Sequence, residues 1–418
     1  VKNEIAIIGG GISGICSAYY LHKSGHKVTV FDANEIGTQC SSGNAGLIVP
    51  SHFETLSNPG ILKKGFKWML NPNSPFFLKP SLDLELITWL FKFNTFCTKK
   101  HVENNKHFLR DINLYSLSLY KDLLEDNNID FDLKQSGLLM LCKEEKTLKE
   151  EELIVNEAIS LGLDAKVLNK DELKILEPNA SFDVLGATYF KDDSKIQPYD
   201  FIMAMKKYLE KNGVKFFENC LIDDIKTNKN NITSIIDQSS VAHSFDQYVF
   251  TSGIFTSKLA KKIDLNLPME GGKGFSFISY KNEALNFSTP MILAEEKVAI
   301  TPYDDYVRFG GTMMLGVNDL KINDRRINNI RKSANKYING LDLKQNDMKD
   351  QWAGLRPCSP DGIPYIGRSE KFSNVIIATG HAMMGVSLGP ATGCIIRDLI
   401  NEEKTKINIS KMNINRFN

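Results

Sequence analysis

The chain of 418 residues lacks an excess of charge of either sign, since 51 basic residues face 50 acidic ones for a formal net of +1. That balance excludes a global pull toward nucleic acid or anionic lipid. Cysteine is sparse: seven residues, an odd number, scattered from Cys16 to Cys394 with no CxxC pair. A disulfide scaffold and a zinc ribbon are excluded, and a reduced, cytoplasmic chain is predicted. The seven histidines show no ligand spacing, because Gly25 ends the helix between His22 and His26, so no metal site is expected. No apolar run approaches the roughly 18 residues of a membrane span. Repeats and low-complexity tracts are missing too. The stretch Ile5 to Leu21 is broken by a glycine fingerprint that a signal sequence would not carry.

What is present begins at residue 5. Ile5-Ala6-Ile7-Ile8 is an apolar run suited to a buried parallel strand, followed at once by Gly9-Gly10-Gly11-Ile12-Ser13-Gly14. A helical stretch to Lys23 and a second strand, Lys27 to Phe31, end on Asp32, 18 residues past Gly14. This is a complete βαβ dinucleotide fingerprint. Gly9 permits the tight turn, Gly11 lets backbone approach a pyrophosphate, and Gly14 allows close helix–strand packing. Amides at the helix start face the phosphates. Asp32 suits a ribose hydroxyl and disfavours a 2′-phosphate. The fingerprint alone does not separate NAD from FAD.

The length predicts two domains. Small polar residues from Gly37 to Gly46, including Ser41, Ser42, Asn44 and Ala45, run straight into Leu47-Ile48-Val49-Pro50. This predicts a buried loop threading past a ligand. Helices are expected between 61 and 124, and an antiparallel sheet from 273 to 315. Near the end, Val375 to Gly380 reads as a buried strand, His381 to Gly385 as a loop, and Val386 to Ile400 as a helix with Pro390 in its first turn. Two strand–glycine–helix units at opposite ends predict one α/β, Rossmann-like domain assembled from both termini. Its expected segments are 1–55, 195–268 and 345–418. The remainder, 56–194 and 269–344, is expected to form an α+β substrate domain with a mainly antiparallel sheet. The polar tail 401–418 is expected to fray.

Taken jointly, these motifs resemble the D-amino-acid oxidase superfamily of FAD enzymes, on the branch of the bacterial D-amino-acid dehydrogenases. The resemblance spans nearly the whole chain. It rests on Gly9 to Gly14 with Asp32, on Ser41 to Gly46, on Thr251-Ser252-Gly253, and on Trp352 to Pro357 with Ser359-Pro360-Asp361-Gly362. It rests further on Gly380 to Gly385 before Gly389 to Gly393. The resemblance implies FAD held by Ser13, Gly14, Asp32 and Ala33 at its adenosine and pyrophosphate end, with Ile222 at the adenine. It places Ser41, Ser42, Asn44, Ala45, Gly46 and Leu47 along the middle, and His381 to Ser387 (with Met383, Met384, Gly385 and Val386) at the flavin ring. Gly354 stands where monomeric sarcosine oxidases carry the flavin-bearing cysteine, so the resemblance implies noncovalent FAD.

The implied reaction is hydride transfer from Cα of an amino acid to flavin N5, giving an imine and then a keto acid. D-Proline-like or hydroxyproline substrates are included. Arg356 is the leading candidate to grip a carboxylate, since a guanidinium does so bidentately and stays charged when partly buried. The competing reading is a structural arginine paired with Asp361, or a surface arginine. The helix start at Met384-Gly385-Val386 is suited to stabilising charge near flavin N1 and O2. His381 is read as either a packed histidine or a proton-transfer group, and His52 as a pocket residue. Ala299 and Met383 replace the Tyr and Arg of glycine oxidases, so a second polar anchor is missing and an apolar side chain is favoured. A basic, aromatic-rich stretch from Leu62 to Arg110 is read as helical packing or as a peripheral membrane patch where a quinone or an electron-transfer protein is met. The competing functions are an oxygen-using glycine or sarcosine oxidase, a tRNA-modifying flavoprotein, and a noncatalytic FAD subunit. Neutral charge counts against nucleic acid.

Overall fold

The structure is a computed structural model that describes residues 2–61, 74–126 and 128–417. Part of the basic, aromatic-rich stretch, 62–73 with Phe66 and Trp68, lies outside the described residues.

The first layer is a six-stranded sheet. Across it run Lys215–Phe217, Lys27–Phe31, Glu4–Ile8, Gln247–Phe250, Val375–Thr379 and Tyr365–Arg368. All neighbours are parallel except the last pair. Ile5 to Ile8 and Val375 to Ala378 are buried throughout. Strands covered on both faces need no polar alternation, which is why both segments read as unbroken apolar runs. The helices Ile12–Lys23 and Gly385–Asn401 pack against each other with almost no side chain between them. A Cβ on Gly393 would fall 2.5 Å from the Cys16 carbonyl carbon, and one on Gly389 would fall 2.9 Å from Ile12 Cγ1.

Pro390 lies in the second turn of its helix, not the first, because the helix begins at Gly385. A proline there leaves the carbonyl four residues earlier, that of Val386, without its helical donor. The Tyr120 hydroxyl, from the helix Lys99–Glu125, donates to that carbonyl at 2.7 Å. From sequence this helix falls in the substrate half; in the fold it buttresses the C-terminal helix of the cofactor half.

The second layer is a nine-stranded sheet. Its order is Lys349–Cys358, Glu270–Tyr280, Tyr306–Leu315, Val298–Pro302, Met291–Leu293, Leu138–Cys142, Gly186–Phe190 and Ala165–Leu168, with Phe76–Leu78 beside Tyr306–Leu315. It is antiparallel save for Met291–Leu293 on Leu138–Cys142 and for Phe76–Leu78. From sequence, 345–418 belongs with the cofactor half; the strand Lys349–Cys358 instead forms the edge of this large sheet. The helix Asp324–Tyr337 covers one face, packing Ile327, Ile330 and Ala334 against Phe277, Val307 and Phe309. The other face meets the 37–46 segment. Ser276 Oγ donates to the Gly43 carbonyl at 3.2 Å, and Thr301 Oγ1 to that of Ala45 at 2.8 Å.

The tail does not fray. Met412 and Ile414 are buried, and the Arg416 guanidinium forks onto Asp361 at 2.7 and 3.0 Å. Asp361, the partner considered for Arg356, is thereby taken.

Because Tyr120 compensates for Pro390, the two side chains are coupled. Tyr120→Phe is expected to cost about 1–2 kcal/mol, the penalty of an unmet buried carbonyl. In a Pro390→Ala background, where residue 390 regains its N–H, the same change is expected to cost about half that or less. Denaturant unfolding of the double-mutant cycle measures the difference; strictly additive losses would contradict the coupling.

Candidate active site

A cavity of about 430 Å³ runs between the two layers. One end is walled by Phe31, Asp32, Ala33 and Ile222, the middle by Gly9, Gly11, Ser13, Ser41 and Asn44, and the other end by Gly354, His381, Gly385 and Val386. Ser252 and Gly253 complete the side nearest the first turn.

The glycine turn opens this space. Gly9 has φ +112°, and a Cβ there would fall 2.6 Å from the Ser252 nitrogen. Gly14 does not line the cavity; a Cβ on it would meet the Gly9 carbonyl oxygen at 1.9 Å, so it allows the helix to seat on the strand. No side chain of the N-cap residue closes the first helix, whose earliest backbone bond is Ile15 N–H to the Gly11 carbonyl. Ile12 N–H goes to Ser41 Oγ at 3.1 Å, and the Ser13 end faces the cavity. Asp32 accepts the amides of Gly10 and Asn34 at 2.7 and 2.9 Å. Burial raises its carboxyl above the ordinary value, and these amides pull it back.

Several expected contacts point elsewhere. Ser42 Oγ donates to the Thr38 and Gln39 carbonyls of its own turn. The Ala45 carbonyl accepts from Thr301 and Tyr303, and Gly46 packs within a Cβ's reach of the Ile196 carbonyl. Leu47 pairs with Lys195 in a small separate sheet. Ser387 Oγ donates to Asn113 Oδ1 at 2.6 Å and accepts Val49 N–H at 3.0 Å, so it ties helices and loop together behind the cavity. Met383 is 47% exposed, because Ala382 at φ +48° turns the chain outward, while Met384 packs on the core. Neither methionine lines the cavity. Conversely, Phe255, Lys258, Leu259 and Lys262 do line it and escaped the sequence reading. The signal was the short apolar-basic turn following Ser252-Gly253.

Arg356 stands beside the cavity between the lining residues Leu355 and Pro357. It is half-buried, and no ion pair involves it among the described residues. Its Nη1 donates to the Thr312 carbonyl at 2.9 Å. That carbonyl is aimed by a register shift between Lys273 and Phe275, with Thr312 itself at φ +66°. The guanidinium lies flat over Gly274, where a Cβ would fall 2.3 Å from its Cζ. Burial pushes the nearby Cys40 thiol up, and the Arg356 charge pulls it back. A cation held by one neutral acceptor keeps donors free for a carboxylate.

The two histidines differ. His381 lines the cavity and is 5% exposed. The Thr392 hydroxyl donates to the Leu388 carbonyl at 2.8 Å, so its oxygen accepts His381 Nε2–H at 2.9 Å. Burial pushes this histidine down to about 4, so it is neutral at pH 7. His52 is also pushed down to about 4, by burial and then by Lys297, and it lies off the cavity. Its Nδ1 is 3.2 Å from Ser51 Oγ, which in turn lies 2.5 Å from the buried carboxyl of Asp193.

The chain belongs to the FAD dependent oxidoreductase family, whose model matches residues 4–399. It is 29% identical over 417 residues to a D-amino acid dehydrogenase of Helicobacter pylori strain J99, covering 100% of this chain and 99% of that one. It is 28% identical to a D-amino acid dehydrogenase of Bradyrhizobium diazoefficiens, covering 99% of each. Among solved structures it resembles glycine oxidase from Geobacillus kaustophilus, with TM-score 0.79, 20% identity and coverage of 100% and 99%. L-proline dehydrogenase from P. horikoshii superposes with TM-score 0.75 at 21% identity, covering 100% and 98%. The cavity fits the family's cofactor: a helix start without an N-cap side-chain bond and the half-buried Asp32 line it, and so does a second helix start without a side-chain cap.

Two outcomes are expected. Gly274→Ala drives the guanidinium from its seat, so affinity for a small carboxylate, read from perturbation of the flavin spectrum, falls at least about tenfold, roughly 1.4 kcal/mol, with flavin retained. For His381, the folded value near 4 lies below an unfolded value of about 6.5. Its stability contribution is therefore full above pH 6.5 and is lost as pH falls toward 4, by about 3 kcal/mol. His381→Asn is expected to flatten that part of the unfolding-midpoint profile between pH 7 and 4.

Proposed function

We propose that this chain oxidises D-amino acids at Cα, using noncovalent FAD. The observation that carries this reading is Arg356: a guanidinium beside the cofactor cavity, seated on Gly274 and the Thr312 carbonyl, with no acid partner among the described residues. The naming of the full-length relatives as D-amino acid dehydrogenases supports the stereochemical choice.

Ser13 N–H would hold the pyrophosphate, Asp32 the ribose, and Ile222 the adenine face. Ser41 and Asn44 would border the middle of the cofactor, and the amides of Gly385 and Val386 its ring. When bound, FAD supplies the two-electron acceptor for hydride leaving Cα. Arg356 fixes the carboxylate, and with it the direction in which the Cα–H points. The helix start at Gly385 places amide dipoles where negative charge accumulates. His381, neutral and donating to Thr392, packs this wall rather than moving a proton. The oxidised substrate is an imine, which water converts to a keto acid and ammonia. Noncovalent attachment agrees with Gly354, where a Cβ would strike the Trp352 ring at 2.1 Å and leaves no room for a linking cysteine. A quinone, or an electron-transfer protein, is the proposed electron acceptor.

Anaerobic mixing with D- and L-amino acids tests this. Loss of oxidised-flavin absorbance with D but not L forms is expected, with turnover on a dye and little peroxide in air. Bleaching by L forms alone, or by glycine and N-methylglycine with stoichiometric peroxide, would replace the proposal with an amine oxidase. Arg356→Ala is expected to keep its flavin yet need about 100-fold more substrate for half-bleaching, the loss of a bidentate charge-assisted contact. Unchanged substrate demand would remove Arg356 from the site.

A further inference from the structure

Two lysines that line the cofactor cavity, Lys258 and Lys262, have no part in the chemistry above. They come from the short helix Thr256–Lys261, with Lys262 at its C-terminal cap. That helix starts beside the glycine turn. A Cβ on Gly9 would fall 2.6 Å from the Ser252 nitrogen, and Ser252 Oγ donates to the Ile8 carbonyl at 2.8 Å. Lys258 lies one helical turn beyond this point. Positions 258 and 262 are four apart, so they share one helix face. Lys261, on another face, pairs with Glu85 of the helix Leu84–Phe96 at 2.6 Å. The helix thus divides its lysines, one to a neighbouring acid and two to the cavity.

Neither cavity lysine has an acid: among the described residues no ion pair involves Lys258 or Lys262. The Lys258 ammonium stands 5.9 Å from the Phe255 ring, a neutral neighbour. Like charges at this spacing weaken a helix. The charges on the cavity wall show what relieves them. Among its described lining residues the acids are Asp32 and Asp223, His381 is neutral, and these two lysines are the only cations. The glycine turn offers a pyrophosphate amides but no charge. Without Lys258 and Lys262, the lining would meet that dianion with two carboxylates and no cation.

We propose that Lys258 and Lys262 supply the counter-charge for the cofactor's pyrophosphate, which makes retention of FAD depend on salt. This rests on the reading of FAD as noncovalently bound. A lysine carries a compact charge on a flexible stem, suited to a phosphate that backbone amides already orient. The same charges draw the dinucleotide toward the cavity before the amides of the turn engage it. Both side chains are exposed. The gain from each is therefore modest and is screened by salt.

The test reads flavin release from the yellow holoenzyme, not turnover. Acid precipitation comes first: flavin in the supernatant agrees with noncovalent attachment, and flavin kept by the pellet would overturn that reading and this proposal with it. The Kd for FAD is then measured from the rise of flavin fluorescence on dilution, at about 50 and about 500 mM salt. Lys258→Gln and Lys262→Gln are each expected to raise it about threefold, and together about tenfold. Salt is expected to weaken FAD binding by the unaltered chain and to have much less effect on the double Gln variant. Lys258→Arg with Lys262→Arg keeps the charge, and is expected to keep both the affinity and its salt dependence; it decides the matter should the Gln pair lose its flavin outright. Lys261→Gln, on the same helix but turned to Glu85, is expected to change nothing. An unchanged Kd in the double Gln variant, a salt dependence that survives in it, or an equal loss in Lys261→Gln would each overturn the counter-charge. Any of these three results would leave the proposed amino-acid oxidation standing.

Discussion

The first and last helices of the chain touch backbone to backbone, and the site depends on that contact. Gly389 and Gly393 let Gly385–Asn401 lie directly on Ile12 and Cys16. The start of each helix opens onto the same cavity, one at Gly11 to Ser13 and the other at Gly385 to Val386. A larger residue at 393 would separate the two N-termini and lengthen the gap a dinucleotide must span. The sheet enforces the same closure, with Glu4–Ile8 and Val375–Thr379 flanking Gln247–Phe250. The Tyr120–Val386 bond extends it to the long helix Lys99–Glu125.

Against this frame the large sheet presents a face on which the Trp352 ring covers Gly354 and the Arg356 guanidinium covers Gly274. The economy of that face is electrostatic. Desolvation penalises a guanidinium, yet Arg356 has no acid partner among the described residues. Proteins hold such charges where a ligand supplies the opposite one. The bulge at Thr312 turns a backbone carbonyl toward Arg356, orienting the side chain without neutralising it.

Much of this was legible in the residues. The run Ile5 to Ile8, the glycines and Asp32 form a local signal, and so do Val375 to Gly380 with the following helix. Strand signals with turns between them marked the antiparallel sheet over 273–315. What escaped was long-range. Nothing local tells Lys349–Cys358 to join the large sheet, because alternation reports buried faces and not neighbours. The polar tail looked free, since its anchor is a salt bridge from Arg416 to Asp361, 55 positions away. Met383 looked like a pocket residue until the left-handed turn at Ala382 carried it outward. The family resemblance supplied FAD and Arg356, which spacing alone could not single out.

The account turns on where the substrate's acid group sits. A crystal structure of the flavin-loaded protein, soaked anaerobically with the amino acid that reduces it, measures this directly. The account predicts the carboxylate within about 2.8 Å of the Arg356 guanidinium nitrogens, with Cα over the flavin ring. A carboxylate bound elsewhere, with Arg356 still resting on the Thr312 carbonyl alone, would contradict it.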